Sequence, residues 1–227
     1  MADVSSMVRK QQVMAIVGSH PLQPVMVQRR VDNAAVFETL LDADVKVSGA
    51  WLSGYLEEFF AARMLFLAPS MENDSSIASS MKVSAASICD EIFDKFDQKL
   101  GGRQRSSIIL EFSILEVLAS QSQYQAARVK IDGLGYKTAV CGIDPRILLW
   151  MDYSTLPSDF LKLSCPVEPA ALWLTSDTET QIKKAIQKIG RARVVWDNCA
   201  TQENIELGQR LGITLFQGDA VDPPSLP

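Results

Sequence analysis

From Met81 onward the chain repeats one theme: a short apolar run, then a longer stretch with apolar residues at helical spacing. The short runs are Met81–Val83, Ser107–Phe112, Lys137–Val140, Phe160–Leu163, Ala192–Trp196 and Thr214–Phe216. Each is brief, rich in β-branched or aromatic residues, and bounded by polar residues or glycine, as buried strands are. The stretches between them read as helices. Ser87–Leu100 puts Ile88, Ile92, Phe93 and Phe96 on one face and is closed by Gly101-Gly102. Ile114–Leu134 is mostly helical and stops at Gly135, Arg146–Tyr153 is a short helical piece, Thr178–Ile189 turns Ile182, Ala185, Ile186 and Ile189 inward, and Thr201–Leu211 is the last. Buried strands alternating with helices require a largely parallel sheet covered by helices, an α/β fold. About eight such units in one chain imply a (β/α)8 barrel of the TIM type, in a single domain.

The first part of the chain is less regular. Met1–Gln12 is polar and reads as a flexible lead, which leaves 13–227 as the barrel domain. Val13–Gln28, broken by His20-Pro21 and Pro24, reads as strand, turn and strand. Ala34–Leu41 is a third apolar segment with one acid in it. Trp51–Leu67 carries Trp51, Leu52, Tyr55, Leu56, Phe59, Phe60 and Met64 at helical spacing, so an amphipathic helix is expected, ended by Pro69. Its last turns, Phe59-Phe60 to Phe66-Leu67, are apolar enough to continue into a partner surface. Ser70–Ser80 is Ser-rich and reads as a loop.

Composition excludes several functions. In 227 residues, 47% are hydrophobic and 22% charged, the range of a soluble globular protein. Lys plus Arg is 22 against 27 Asp plus Glu, a net charge of −5. Such a chain has no excess of cations to neutralise a nucleic-acid polymer. Cys89, Cys141, Cys165 and Cys199 form no C-x-x-C pair, so neither a zinc knuckle nor a redox motif is expected. The run Val13–Val17 is too short for a signal-peptide core, and no stretch approaches the roughly 18 apolar residues of a membrane span. A cytoplasmic protein with reduced thiols is the expectation. His20 is the only histidine and no G-x-S-x-G elbow is present, which leaves a Ser-His-Asp hydrolase without support. His20 before Pro21 reads as a turn residue, Cys141 as a buried inert thiol, Gly133-Leu134-Gly135 as a helix end, and Arg103-Gln104-Arg105 as a solvated loop.

Barrel chemistry sits at the C-terminal ends of the strands. The polar residues expected there are Glu38, Ser84, Glu111, Cys141 with Gly142, Lys162, Asp197 and Gln217. Taken singly, an acid at a strand end caps the next helix or pairs with a lysine. Together, three carboxylates, a lysine and a glutamine suit a divalent cation and a phosphorylated ligand.

In order and spacing these residues resemble the EAL domain, the barrel phosphodiesterase of cyclic di-GMP. Leu22-Gln23-Pro24-Val25 resembles that family's opening Q-P-I segment, and Phe37-Glu38-Thr39-Leu40-Leu41 its signature, with Thr39 in place of alanine. Lys82-Val83-Ser84 stands where the family has V-N-L-S. Leu110-Glu111-Phe112-Ser113 is similar to L-E-I-T, Asp159 to Leu163 to D-F-L-K-I-D, and Val194 to Glu203 to V-V-A-E-G-V-E-T-E-E. Leu211-Gly212 and Phe216-Gln217-Gly218 resemble the closing L-G and Q-G.

The resemblance implies two cations about 4 Å apart, activating water against a phosphodiester. It also shows what is replaced. The family's D-D-F-G-T-G becomes Val140-Cys141-Gly142-Ile143-Asp144-Pro145, so both bridging aspartates are lost, and Asp144 lies two residues beyond. The family's metal-binding asparagine is Ser84, and its E-G-V-E is Asp197-Asn198-Cys199-Ala200. Glu38, Glu111 and Asp197 would hold at most one Mg²⁺, and a thiol at Cys141 is a poor ligand for that hard ion. The expectation is a domain that is not an enzyme, needs no cofactor, and keeps a vestigial pocket of Gln23, Glu38, Ser84, Glu111, Cys141, Gly142, Lys162, Asp197 and Gln217. Asp42 stands where the family has a phosphate-contacting arginine, and Asp222 to Leu226 lacks the arginine of the closing loop, so cyclic di-GMP binding is possible but disfavoured. The resemblance further implies a bacterial cytoplasmic setting, a protein partner and a possible homodimer. The alternatives are a non-hydrolysing cyclic di-GMP sensor and a weak one-metal phosphodiesterase.

Overall fold

The computed structural model describes residues 7–18, 21–32, 50–67, 77–100 and 104–222. Its centre is a closed barrel of eight strands in sequence order: β1 Val8–Ala15, β2 Gln23–Val31, β3 Ala78–Lys82, β4 Ile108–Ser113, β5 Lys137–Ile143, β6 Phe160–Ser164, β7 Val194–Asp197 and β8 Leu215–Gln217. Every neighbouring pair from β2 to β8 is parallel. β1 runs antiparallel to both β2 and β8. The short connection from β1 to β2 explains the first of these pairings, because a parallel neighbour needs a crossover of a dozen or more residues.

The helices are α1 Ala50–Leu67, α2 Ala85–Cys89, α3 Glu91–Leu100, α4 Ile114–Ala119, α5 Gln121–Leu134, α6 Ser176–Ile189 and α7 Gln202–Arg210. The two long helices expected at Ser87–Leu100 and Ile114–Leu134 are each split, at Asp90 and at Ser120, where the backbone turns extended or irregular. Gly135 ends α5 in the left-handed conformation at φ 85°, which glycine adopts without strain. The expected helix at Arg146–Tyr153 is a pair of 3-10 turns, Pro145–Leu149 and Tyr153–Thr155.

Two boundaries are corrected. The polar lead does not run to Gln12, because β1 begins at Val8 and is fully part of the barrel. Val8, Gln11 and Val13 are buried there, while Arg9, Lys10 and Gln12 are only partly covered. Gln11 is satisfied inside by the chain's far end: its Nε2 donates to Asp219 Oδ1 at 3.0 Å and to the Asp222 carbonyl at 3.1 Å. The Ser-rich loop likewise stops earlier than expected, because Ala78-Ser79-Ser80 opens β3 with Ser79 and Ser80 buried. Helix α1 lies where expected but is not one-sided. Phe60, Ala61, Met64 and Leu65 are buried, while Phe59 and Phe66 are exposed.

The barrel interior is built in levels. Met26, Ile109, Phe160 and Leu215, from β2, β4, β6 and β8, belong to an apolar cluster with Val13, Ala139 and Val195. Residues of one face of a strand recur every second position. The next inward level on the same four strands is therefore Gln28, Glu111, Lys162 and Gln217, and all four are buried. Alternate strands supplying four side chains to one level is the expected packing of such a barrel. A larger cluster, including Phe93, Phe96, Phe112, Tyr124, Trp196 and Phe216, fills the space between strands and helices.

Candidate functional site

The polar level forms a closed ring. Lys162 Nζ lies 2.5 Å from Glu111 Oε1 and donates to Gln217 Oε1 at 2.9 Å. Gln217 Nε2 donates to Gln28 Oε1 at 2.7 Å, and Gln28 Nε2 returns to Glu111 Oε2 at 2.6 Å. The one cation and one anion cancel, and both amides use donor and acceptor. Burial pushes the Glu111 carboxyl up, but Lys162, with hydrogen bonds from Ser80 and Gln28, outweighs it and holds the group below its usual range.

Above the ring a cleft of about 420 Å³ opens at the C-terminal ends of the strands. Glu111, Cys141, Gly142 and Asp197, all expected at this mouth, line it. Lys162 and Gln217 sit in the ring beneath. Cys141 is buried and its thiol is pushed up to about 12, by burial first and then by the Glu111 charge. Gly142 sits in a bulge between Val140 and Ile143 at φ 78°, a left-handed conformation. Burial raises the Asp197 carboxyl, with Lys162 opposing, and its Oδ1 accepts from Asn198 N at 2.8 Å.

Two expected pocket residues are elsewhere. Gln23 is exposed at the N-terminal start of β2. It lies five positions before Gln28 on the strand, roughly 16 Å along the barrel. Ser84 caps α2: its Oγ accepts from Ser87 N at 3.1 Å, and Ser84 N donates to Ser87 Oγ at 3.2 Å. We expect Ser84→Ala to lower stability by about 1 kcal/mol in urea unfolding, the usual worth of such a cap. Glu38 lies outside the described residues, as do His20 and Asp42. Asp144 is occupied by Arg146, which approaches its Oδ2 at 2.5 Å, and the carboxyl is held low by that hydrogen bond despite some burial.

Sequence reasoning missed Gln28, the inward residue of β2 at the level of the ring. It also missed the cations of the cleft: Arg9 on β1, Arg29 and Arg30 on β2, and Lys82 on β3. The strand alternation of β2 carried that signal, since Met26 and Gln28 share a face. Arg9 pairs with Asp32 at 3.2 Å. An apolar wall of Val31, Phe60, Ala61 and Met64 faces these cations. Among the described residues, no group of three His, Cys, Asp or Glu side chains is placed to hold a metal ion. No helix among them is long and apolar enough to cross a membrane.

No protein-family model matches the sequence, and no curated protein matches it. Solved structures match in shape. The manganese and cyclic di-GMP complex of BlrP1 from Klebsiella pneumoniae superposes with TM-score 0.65 at 15% identity, covering 96% of this chain and 56% of that one. Bacillus subtilis YkuI, a protein with an EAL domain in complex with substrate cyclic di-GMP and calcium, gives 0.64 at 19% identity, covering 98% and 56%. The EAL domain of Xanthomonas citri FimX, in complex with cyclic di-GMP, gives 0.63 at 13% identity, covering 97% and 88%. This chain thus spans little more than half the length of the first two. The closed barrel with its antiparallel first strand, together with these likenesses, shows that the chain has the EAL-type barrel fold.

Proposed function

We propose that this domain is an EAL-type module that does not hydrolyse cyclic di-GMP and acts in cyclic di-GMP-related signalling through a protein partner. The observation that carries this reading is the ring. Glu111, the one carboxylate at that level of the interior among the described residues, has Lys162 on one oxygen and Gln28 on the other. A cation would have to displace a buried ammonium to reach it. The β2 position of the ring is an amide, and the end of β5 offers a protonated thiol and a glycine. Asp197 remains as a carboxylate with raised affinity for its proton. This donor set does not fit two hard divalent cations, which need several ionised oxygens.

The test is calorimetry with cyclic di-GMP, with and without Mg²⁺, followed by a search for the linear product. The expected result is no product, and turnover would overturn the reading. Cys141→Asp combined with Gly142→Asp is expected to leave turnover absent, because the two substitutions free neither Glu111 nor supply an acid on β2.

A second reading has its own observation. Four cations, Arg9, Arg29, Arg30 and Lys82, line the cleft against three acids, Asp32, Glu111 and Asp197, in a chain whose net charge is −5. BlrP1, YkuI and FimX are each solved with cyclic di-GMP bound. A non-hydrolysing sensor of that dianion follows if the titration saturates without product. In that case Arg30→Gln should weaken binding by about ten-fold, the worth of one charge-assisted hydrogen bond.

A further inference from the structure

The foot of the barrel, at the end opposite the mouth, carries a second depression. It holds about 590 Å³ and lies where β5, β6 and β7 begin. Arg128 from α5, Lys137 at the first position of β5 and Arg193 just ahead of β7 all line it. One acid, Asp159, lines the depression beside these three cations and is held by β5. Its Oδ2 accepts from Thr138 N at 2.8 Å and from Thr138 Oγ1 at 3.2 Å. Arg128 pairs with Asp132 at 2.8 Å and donates to Thr138 Oγ1.

Arg193 is fixed as a strut. Its Nη2 donates to the Ser158 carbonyl at 2.6 Å, its Nε to the Asp159 carbonyl at 3.1 Å, and its Nη1 to the Ile189 carbonyl at 3.2 Å. Those carbonyls position the guanidinium but carry no net charge to cancel it. Two polar atoms are left over at the same place. Ser158 Oγ and Arg128 Nε are buried without a hydrogen-bond partner among the described residues, and Ser158 is only 8% exposed. Buried polar atoms without partners are rare enough to call for an explanation.

Pre-positioned guanidinium groups and a lysine beside a spare hydroxyl are the chemistry that recognises a phosphate. The rest of the lining, Leu156, Pro157, Phe160 and Ala192, is apolar. The volume lies in the range of small-molecule sites. We propose that this depression binds a small phosphomonoester, with its phosphate on Lys137, Ser158 and the two arginines and its apolar body against Leu156 and Pro157. The site is independent of the mouth and of the function proposed for it.

The experiment titrates the protein with inorganic phosphate and with phenyl phosphate at constant ionic strength, following backbone amides by NMR. Saturable shifts at residues 137, 158 and 193 are expected, with phenyl phosphate the tighter of the two. Lys137→Gln, on an exposed side chain, should weaken phenyl phosphate by about ten-fold. Ser158→Ala removes a hydroxyl that has no partner to lose, so it should keep thermal stability while weakening binding several-fold. Linear titrations, shifts scattered away from the foot, or an affinity that Lys137→Gln leaves unchanged would each overturn the proposal.

Discussion

Lys162→Met is expected to lower the stability of the fold by about 3–5 kcal/mol, the cost of leaving a buried carboxylate without its counter-charge. Glu111 would keep Gln28 but lose the cation that offsets its desolvation. Adding Glu111→Leu should return most of the loss, because removing both charges is far cheaper than removing one. The pH dependence reverses with the substitution. In the native ring Glu111 is held below its usual range, so its contribution is complete above the unfolded carboxylate value of about 4.3 and fades as pH falls toward the folded one. In Lys162→Met the carboxyl is buried without a cation, so its folded value rises above the unfolded one. That variant therefore gains stability as pH falls toward about 4.3 and loses it as pH rises. Urea midpoints of the variant should fall as pH rises from about 4 to 8, whereas Glu111 leaves the native protein's flat over that range and lowers them only below about pH 4.3. Parallel slopes would mean that the pair is solvated and that the ring does not hold Glu111.

Gly218→Ala is the second large effect. A Cβ there would stand 2.3 Å from Cys199 N and 2.4 Å from Cys199 O, and both are backbone atoms that cannot swing away. The φ of 140° adds strain for any residue with a side chain. Together these should cost about 3–5 kcal/mol. Cys199 N donates to the Gln217 carbonyl at 2.9 Å, and Ala220 N to the Cys199 carbonyl at 2.9 Å, so the clash falls on the hydrogen bonds that seat β8. Gly133→Ala is the control. Gly133 lies inside α5 with nothing within 4 Å of the added carbon, so the substitution should raise stability by about 0.5–1 kcal/mol. Denaturant midpoints moving in the same direction for both would overturn the close-approach argument.

The barrel was legible because β4 to β8 are short apolar runs whose residues are almost all inside. β4 reads Ile108-Ile109-Leu110-Glu111-Phe112 and buries every one of those. The first part of β1 was hidden because four of its residues, Arg9, Lys10, Gln11 and Gln12, are polar, and Gln11 is satisfied by Asp219 and Asp222, about two hundred residues away. No local pattern encodes such a partner. The start of β3 was hidden because two of its buried residues, Ser79 and Ser80, are serines, and serines read as loop.

Glu111, Asp197, Cys141 and Gly142 came together at the mouth, with Lys162 and Gln217 in the ring beneath it. Ser84 did not join them because its hydroxyl was worth more as a cap. Gln28 escaped because a glutamine in the middle of a strand looks like any polar residue until β2 is placed in the barrel. The cleft's arginines escaped because the two neighbours Arg29 and Arg30 look like any surface pair until β2 is placed inside the barrel.

The antiparallel seam between β1 and β8 has a consequence for how the protein is made. Val13 pairs with Gln217, and Met14 with Phe216, so the barrel's first strand must wait for its last to be made. Until then β1 can form its hairpin with β2 but presents an unpaired edge, which is the feature other chains add to. Gln217 is also a member of the ring, so Lys162 and Glu111 meet in a half-open shell that water still enters. Drying of that interior therefore waits for β8, and a pause in translation anywhere between β2 and β8 prolongs exposure of the edge.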